Sequence, residues 1–279
     1  IRNEINREAQ REAEAFVGSA PTYWGDQPFT EGPVYAGAIV CFLFVLGILI
    51  VRGPEKWWLF IAALFTLIMA WGRNLSSVNG FLFEYLPLYN KFRAPSMSLV
   101  ITTMAMSALA LLAVKEYLRL ACSEKTEERD FARKNLYVSF GIAGALTLIF
   151  AVSGNSLLEF TSVGDAGIAQ IPDIYSALKA ERASMLAADA WRSFLFILAA
   201  ASVLLVYSFR KLKSDIAVLA LSALFLFDMW PVSKRFLSDE DFMPKEKTTE
   251  IVLTDADRQI HELEGEGSHY RVFDFTRGN

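Results

Sequence analysis

Several short stretches of this 279-residue chain put charged side chains where they could do chemistry. In "YLPLYNKFRAPSMS", Lys91 and Arg93 stand directly before Pro95 and a long apolar run. Proline suits the first turn of a helix, where its missing N–H would be unpaired anyway, so a helix is expected to open at Pro95. Free N–H groups and the positive end of the helix dipole favour an anion there. Arg93 adds a planar fork that can grip a lipid phosphate with two hydrogen bonds. The alternative is that Lys91 and Arg93 snorkel, anchoring the helix beside Tyr85 and Tyr89. In "IPDIYSALKAERASMLAADAWRS", a helix opening near Pro172 and Asp173 carries Arg182 and Asp189 on one face, with Arg192 one turn beyond Asp189. The same pattern fits an amphipathic helix lying on a membrane with internal salt bridges. Asp228, in "LFLFDMWPVSKRF", falls near the end of an apolar stretch; an ionisable group there is either functional or a partner of Lys234 or Arg235. Asp26, in "YWGDQPFTEGPVY", sits among glycine and proline, which fits a turn-forming aspartate as well as a reacting one.

The elements that must position these groups are apolar. Hydrophobic residues make up 53% of the chain, and the mean hydropathy is +0.31, richer than a soluble domain needs. Runs at Val34–Val51, Trp57–Trp71, Pro95–Val114, Leu136–Val152, Trp191–Phe209 and Ile216–Trp230 predict an all-α, polytopic bundle of about six transmembrane spans. The first run would cover about 27 Å of a roughly 30 Å hydrocarbon layer; the second and sixth are short and need their flanks. Trp57, Trp58, Trp71 and Trp230 stand at span ends, where amphipathic rings favour the interface. Arg52 and Lys56 fill the first connection, Lys115, Arg119, Lys125, Arg129, Arg133 and Lys134 crowd the third, and Arg210, Lys211 and Lys213 fill the fifth. These face the cytoplasm by the positive-inside rule. The connections at 72–94 and 153–190, longer and amphipathic, then fall outside with both chain ends. Residues 1–33 read as an extracytoplasmic segment, 34–232 as the membrane domain, and 233–279 as the start of an external, β-containing domain ending in "YRVFDF". The opening "IRNEINREAQREAEAF" has no targeting pattern and reads as an internal piece of a longer protein.

The net charge of −4 excludes a nucleic-acid partner of the usual electrostatic kind. Cys41, inside an apolar run, and Cys122, in a charged loop, offer neither a disulfide framework nor a metal site. No Gly-rich phosphate loop, Walker lysine, H-E-x-x-H or G-x-S-x-G is present, so an ATP-driven pump is unsupported. No cofactor is called for; metal dependence stays open.

At "YWGDQPFTEGPVYAGA", "LPLYNKFRAPS", "ERASMLAADAWRS" and "DMWPVSKRF" the chain resembles the YfhO family of bacterial polytopic membrane proteins. The blocks recur in order over nearly the whole chain. That family is grouped with GT-C type glycosyltransferases, which take a sugar from a polyprenyl-phosphate carrier and attach it to a cell-envelope acceptor on the outer face. The resemblance implies a multi-pass protein of the bacterial plasma membrane, with a lipid-linked sugar donor, a glycopolymer or glycolipid acceptor, and membrane lipids as partners. It assigns substrate-binding roles to Lys91, Arg93, Arg182 and Arg192, and Asp228 joins them as a binding candidate on its depth in the apolar stretch. In such enzymes the catalytic carboxylate usually lies in the first external loop, which places it before Ile1; within this chain Asp26 and Asp189 are the candidates. A flippase for lipid-linked sugars and a non-catalytic envelope assembly protein are the rival readings.

Overall fold

The computed structural model describes residues 22–25, 34–91, 95–234, 242 and 255–264. The chain divides into two compact units, Ile1–Phe236 and Leu237–Asn279.

In the first unit, the apolar run after Tyr35 is helical only over Ala38–Ile50 (α1). Gly37 takes φ +94 and stops the helix from extending backwards, while Val51 is extended at the other end. Gly53 (φ +129) and Pro54 make the turn into Glu55–Ala70 (α2), with Pro54 at its N-cap. A 3-10 turn leads to the short helix Ser76–Tyr85 (α3), whose Phe81, Phe83 and Tyr85 are exposed. Pro95 opens a 3-10 turn, Pro95–Ser98, that runs directly into Leu99–Ala121 (α4), as its type and position predict. Thr126–Leu157 (α5) follows, with Glu127 and Glu128 in its first turn offsetting the helix dipole. Pro172–Ser208 (α6) starts with proline at its N-terminus, and Ser214–Lys234 (α7) closes the unit.

Four helices are long and apolar enough to cross a membrane: the stretch Pro95–Ala121, then α5, α6 and α7. The chain is thus an all-α membrane protein over its described residues, where the sole sheet-like pairing is one bridge between Gly25 and Ser162. Helix α1 is apolar but short, rising about 20 Å, and α2 about 24 Å. The expected outer connection at 153–190 is mostly helix. Nothing in "PDIYSALKAERASMLAADAW" breaks a helix, so α6 continues unbroken from Pro172 through the expected fifth span, leaving only 158–171 outside α-helix. The segment "YRVFDF" lies outside the described residues; what is described of the second unit beyond Phe242 is one helix, Asp255–Glu264 (α8).

Helix α1 is the hub. It packs on α4, α5, α6 and α7, and Phe42, Leu46 and Ile50 are fully enclosed together with Leu109, Leu120, Leu136 and Leu204. Helix α2 packs on the outside of α4. In lipid, helices gain from close approach rather than from expelling water, so small residues sit at the contacts. At Gly47 an added Cβ would lie 2.8 Å from Leu109 Cγ and 2.9 Å from the Leu109 carbonyl oxygen. We expect Gly47→Ala to force α1 and α4 apart and cost about 1–3 kcal/mol, read as a lowered unfolding temperature in detergent. An unchanged temperature would show that the two helices slide freely.

The basic connections gather at one end of the bundle. Arg52 lies over the Phe131 ring, 5.7 Å from its centre, and Arg210 donates to the Cys122 carbonyl at 3.4 Å. Arg133 donates to the Ser208 carbonyl at 2.8 Å. At the opposite end, α5 and α6 reach past α1 and meet through residues 158–171. Along α5, Ile142, Leu146, Ile149 and Val152 are exposed and form an apolar band suited to lipid.

Candidate functional site

Asp228 is an ionisable side chain with 0% exposure inside an apolar helix. From Ser214 the helix rises about 21 Å to reach it at roughly 1.5 Å per residue, some two-thirds of a hydrocarbon layer of about 30 Å. A carboxylate at that depth requires partners. Tyr35 Oη donates to Asp228 Oδ1 at 2.7 Å, and the Ala38 N–H donates to Asp228 Oδ2 at 2.8 Å. Ala38 is the first residue of α1, so a carboxylate from α7 caps the unpaired N–H end of α1 and meets its positive dipole. Gly37 is called for here by its φ of +94, which L side chains rarely adopt; a Cβ there would also crowd Met229 Sδ at 3.2 Å. The Asp228 cap also explains why α1 starts so late in its apolar run.

Arg192 reaches the same place from α6. Its Nη2 donates to Tyr35 Oη at 3.2 Å and lies 3.7 Å from Asp228 Oδ1, and its guanidinium sits over the Tyr35 ring at 5.6 Å. Nε lies 3.7 Å from Asp189 Oδ1. The Arg192 side chain is 23% exposed and that of Asp189 44%. Nε and Nη1 of Arg192 are themselves buried and find no hydrogen-bond acceptor among the described residues. Two carboxylates, Asp228 and Asp189, thus orient a guanidinium whose side chain stays partly exposed, an arrangement that can meet an anion at its open edge. Asp228 thus pairs with neither of its expected sequence neighbours as far as these are described: Lys234 instead lies over the Trp230 ring at 5.6 Å, and Arg235 is outside the described residues.

Below this cluster an apolar groove of about 430 Å³ opens between α4 and α7, floored by α1. Ile39 and Leu43, Ala110 and Val114, and Leu221 and Phe225 line it. It begins at α1 residues adjoining Ala38, so charged groups and a hydrocarbon-lined trough follow one another along the same helices.

Arg182, expected on one face with Asp189 and Arg192, belongs to a different centre. It is fully buried, and its Nη1 and Nη2 donate to the two Asp165 carboxylate oxygens at 2.7 and 2.8 Å. Nη1 also donates to the Phe160 carbonyl at 2.9 Å. Asp165 Oδ2 accepts from the Ser162 N–H at 2.8 Å, and Ser162 Oγ from the Gly164 N–H, closing a capping box. The paired guanidinium holds the Asp165 carboxyl below the usual carboxylate range. The Phe160 ring meets Trp24 edge-on at 5.0 Å, and the Gly25 N–H donates to the Thr161 carbonyl at 3.0 Å. Arg182 therefore locks the 158–171 connection and the chain near Trp24 in place. The helix expected to lie along a membrane divides its charges between this lock and the Asp228 cluster, because positions ten apart sit about 15 Å apart along the axis.

Lys91 is exposed at the end of a 3-10 turn, Tyr89–Lys91, whose Tyr89 is buried, in the connection between α3 and Pro95. Arg93 and Asp26 lie outside the described residues. Among the described residues no group of three or more His, Cys, Asp or Glu side chains could hold a metal ion. Ser98 and Thr102 are consumed in packing: Thr102 Oγ1 and Thr66 Oγ1 bond at 2.8 Å, and Ser98 Oγ donates to the Thr66 carbonyl at 2.9 Å.

Sequence reasoning missed Tyr35, Gly37, Asp165 and the Phe160 carbonyl. A signal existed for Asp165, since Ser162 stands three residues ahead of it in capping-box spacing. Nothing local marked Tyr35 as the partner of an aspartate 193 positions later.

Fold and site define the chain as a helical membrane protein with an enclosed, paired charge cluster above an apolar groove. No protein-family model, no curated protein and no solved structure matches it.

Proposed function

We propose that this chain is the membrane domain of a glycosyltransferase that takes a sugar from a polyprenyl-phosphate carrier and passes it to a glycopolymer or glycolipid acceptor at the outer face of a bacterial plasma membrane. One observation carries the reading. Of the four sequence blocks that resemble the YfhO family, three supply the partners of a single cluster: Tyr35 and Ala38, Arg192 and Asp189, and Asp228. The adjoining groove suits a carrier that arrives from within the lipid. In this reading the basic connections face the cytoplasm and all six apolar runs cross, the two short helices being completed by their flanking residues.

The acceptor oxygen bonds to the anomeric carbon while the bond from that carbon to the carrier's phosphate oxygen breaks, and the phosphate leaves with the electron pair. Arg192, whose side chain is 23% exposed, stabilises the charge developing on that phosphate. Asp228 and Tyr35 are positioning residues that hold the guanidinium. Asp189, the more exposed carboxylate, takes the acceptor's proton. A flippase would need polar groups along a path through the bilayer; the hydroxyls of Ser98, Thr66, Thr102 and Thr103 are bonded to helix partners, and Ser107 and Ser222 are two hydroxyls on an otherwise apolar groove wall.

Arg192→Ala in the full-length protein is expected to lower sugar transfer by about 100-fold, as removal of one charge-stabilising donor group does elsewhere, with Arg192→Lys between the two. Transfer is measured in detergent, where no membrane separates two compartments, so a flippase would show none. Normal turnover in a variant of native unfolding temperature would take Arg192 out of the mechanism.

A further inference from the structure

A second concavity, of about 520 Å³, lies where α5 ends and α6 begins, at the end of the bundle away from the basic connections. Its walls carry the Asn155 amide, the Glu159 carboxylate, the Pro172 ring, the Tyr175 ring, the Ser176 hydroxyl and the Lys179 ammonium. We propose that it is a saccharide-binding site for one or two neutral sugar residues, holding the acceptor glycan some distance from the point of transfer.

Size comes first: ligand pockets run from about 300 to 1,000 Å³, and this one lies in that range. The lining then selects the ligand. One cation and one anion balance, and Asp173 in the first turn of α6 offsets the positive end of that helix. A phosphate seat gathers several N–H donors and guanidinium forks, whereas this lining mixes donors and acceptors with no excess of either charge. Hydroxyl-rich, uncharged ligands match such a mixture, since each hydroxyl both donates and accepts. Lys179 sits over the half-buried Tyr175 ring at 5.3 Å, which orders both side chains. Ser176 Oγ donates to the Asp173 carbonyl at 2.9 Å and so turns its lone pairs outward as acceptors.

The wall is also built before any ligand arrives. Phe160, which lines the concavity, has its carbonyl gripped by the enclosed Arg182, and Asp165 and Trp24 fix the rest of the connection. Preformed walls reduce the ordering cost of binding. Ser176 and Arg192 are separated by about 24 Å along α6, so the glycan would bridge several sugar units to the transfer point. The acceptor role rests on the transferase reading; the binding is measured without turnover.

The test uses the full chain in nanodiscs and saturation-transfer NMR titrations with methyl glycosides of the common neutral hexoses and N-acetylhexosamines, with inorganic phosphate as the anion probe. At least one glycoside is expected to bind and phosphate not to displace it. Glu159→Gln and Tyr175→Ala are each expected to weaken binding about tenfold, the loss of one hydrogen bond to a charged group or of one aromatic contact. Glu159→Gln is isosteric and exposed, so it reports even if Tyr175→Ala unfolds. Binding by no glycoside, displacement by phosphate, or unchanged affinity in Glu159→Gln would each overturn the proposal. Arg192→Ala should leave glycoside binding intact, so loss of transfer there and loss of binding here are separate failures.

Discussion

Asp228→Ala will cost the protein about 3–5 kcal/mol, the usual penalty for removing one partner of a buried ion pair. The substitution takes the shared acceptor from three groups at once, the Tyr35 hydroxyl, the Ala38 N–H at the start of α1 and the Arg192 guanidinium, leaving Ala38 and Arg192 only the Tyr35 oxygen at 3.2 Å and Asp189 at 3.7 Å. Asp228 and the Ala38 backbone it meets are enclosed, while Tyr35 and Arg192 are partly exposed, so the Ala38 N–H bears the largest share of the loss. Asp228→Asn keeps the shape and one acceptor oxygen but loses the charge that faces Arg192 and the dipole of α1, so it should fall between wild type and alanine. Unfolding temperatures in detergent should rank wild type above Asn above Ala. Equal temperatures for all three would mean that Asp228 is not the anchor of α1, and the account of the cluster would fail with it.

Arg182→Ala is expected to cost a similar amount, about 3–5 kcal/mol. The Arg182 and Asp165 side chains are 0% and 4% exposed, and removing the guanidinium leaves a carboxylate and the Phe160 carbonyl enclosed without their donor. Lysine cannot replace it, since one ammonium does not reproduce two parallel bonds to a carboxylate and a third to a carbonyl. A double-mutant cycle with Asp165→Asn should return a coupling energy of at least about 1 kcal/mol. The same pair sets an acid dependence. The carboxyl of Asp165 is held below its unfolded value, near 3.9, chiefly by the hydrogen bonds from Arg182. Its stabilisation is therefore complete above about pH 5 and is lost as pH falls through the lowered folded value. Asp165→Asn should lose stability at neutral pH and show a flatter decline toward acid. Parallel wild-type and Asn profiles would remove Asp165 as the source.

Much of this architecture is legible from local pattern. The apolar runs, the helix start at Pro95, the helix start at Pro172 and the grouping of basic connections at one end all follow from residue type and spacing over a dozen residues. The candidate site was half legible. Asp228 stands out because a charge within an apolar helix is costly, and Arg192 because it follows Asp189 by one turn. What Asp228 faces could not be read the same way: Lys234 is closer in the chain, yet it turns to Trp230, while Arg192 and Tyr35 arrive from other helices. Arg182 misleads for the same reason. Its helical period puts it on a face with Asp189, but its partner is an aspartate in a connection folded back against α6.

The amino-acid sequence alone determined that the chain folds as apolar helices, because burying or exposing side chains to lipid is settled residue by residue and repeats with the helical period. Only the tertiary structure decided which charges meet. Ion pairs and caps form between groups brought together by packing, and a helix as short as α1 acquires its start from a carboxylate on α7 that no local pattern encodes.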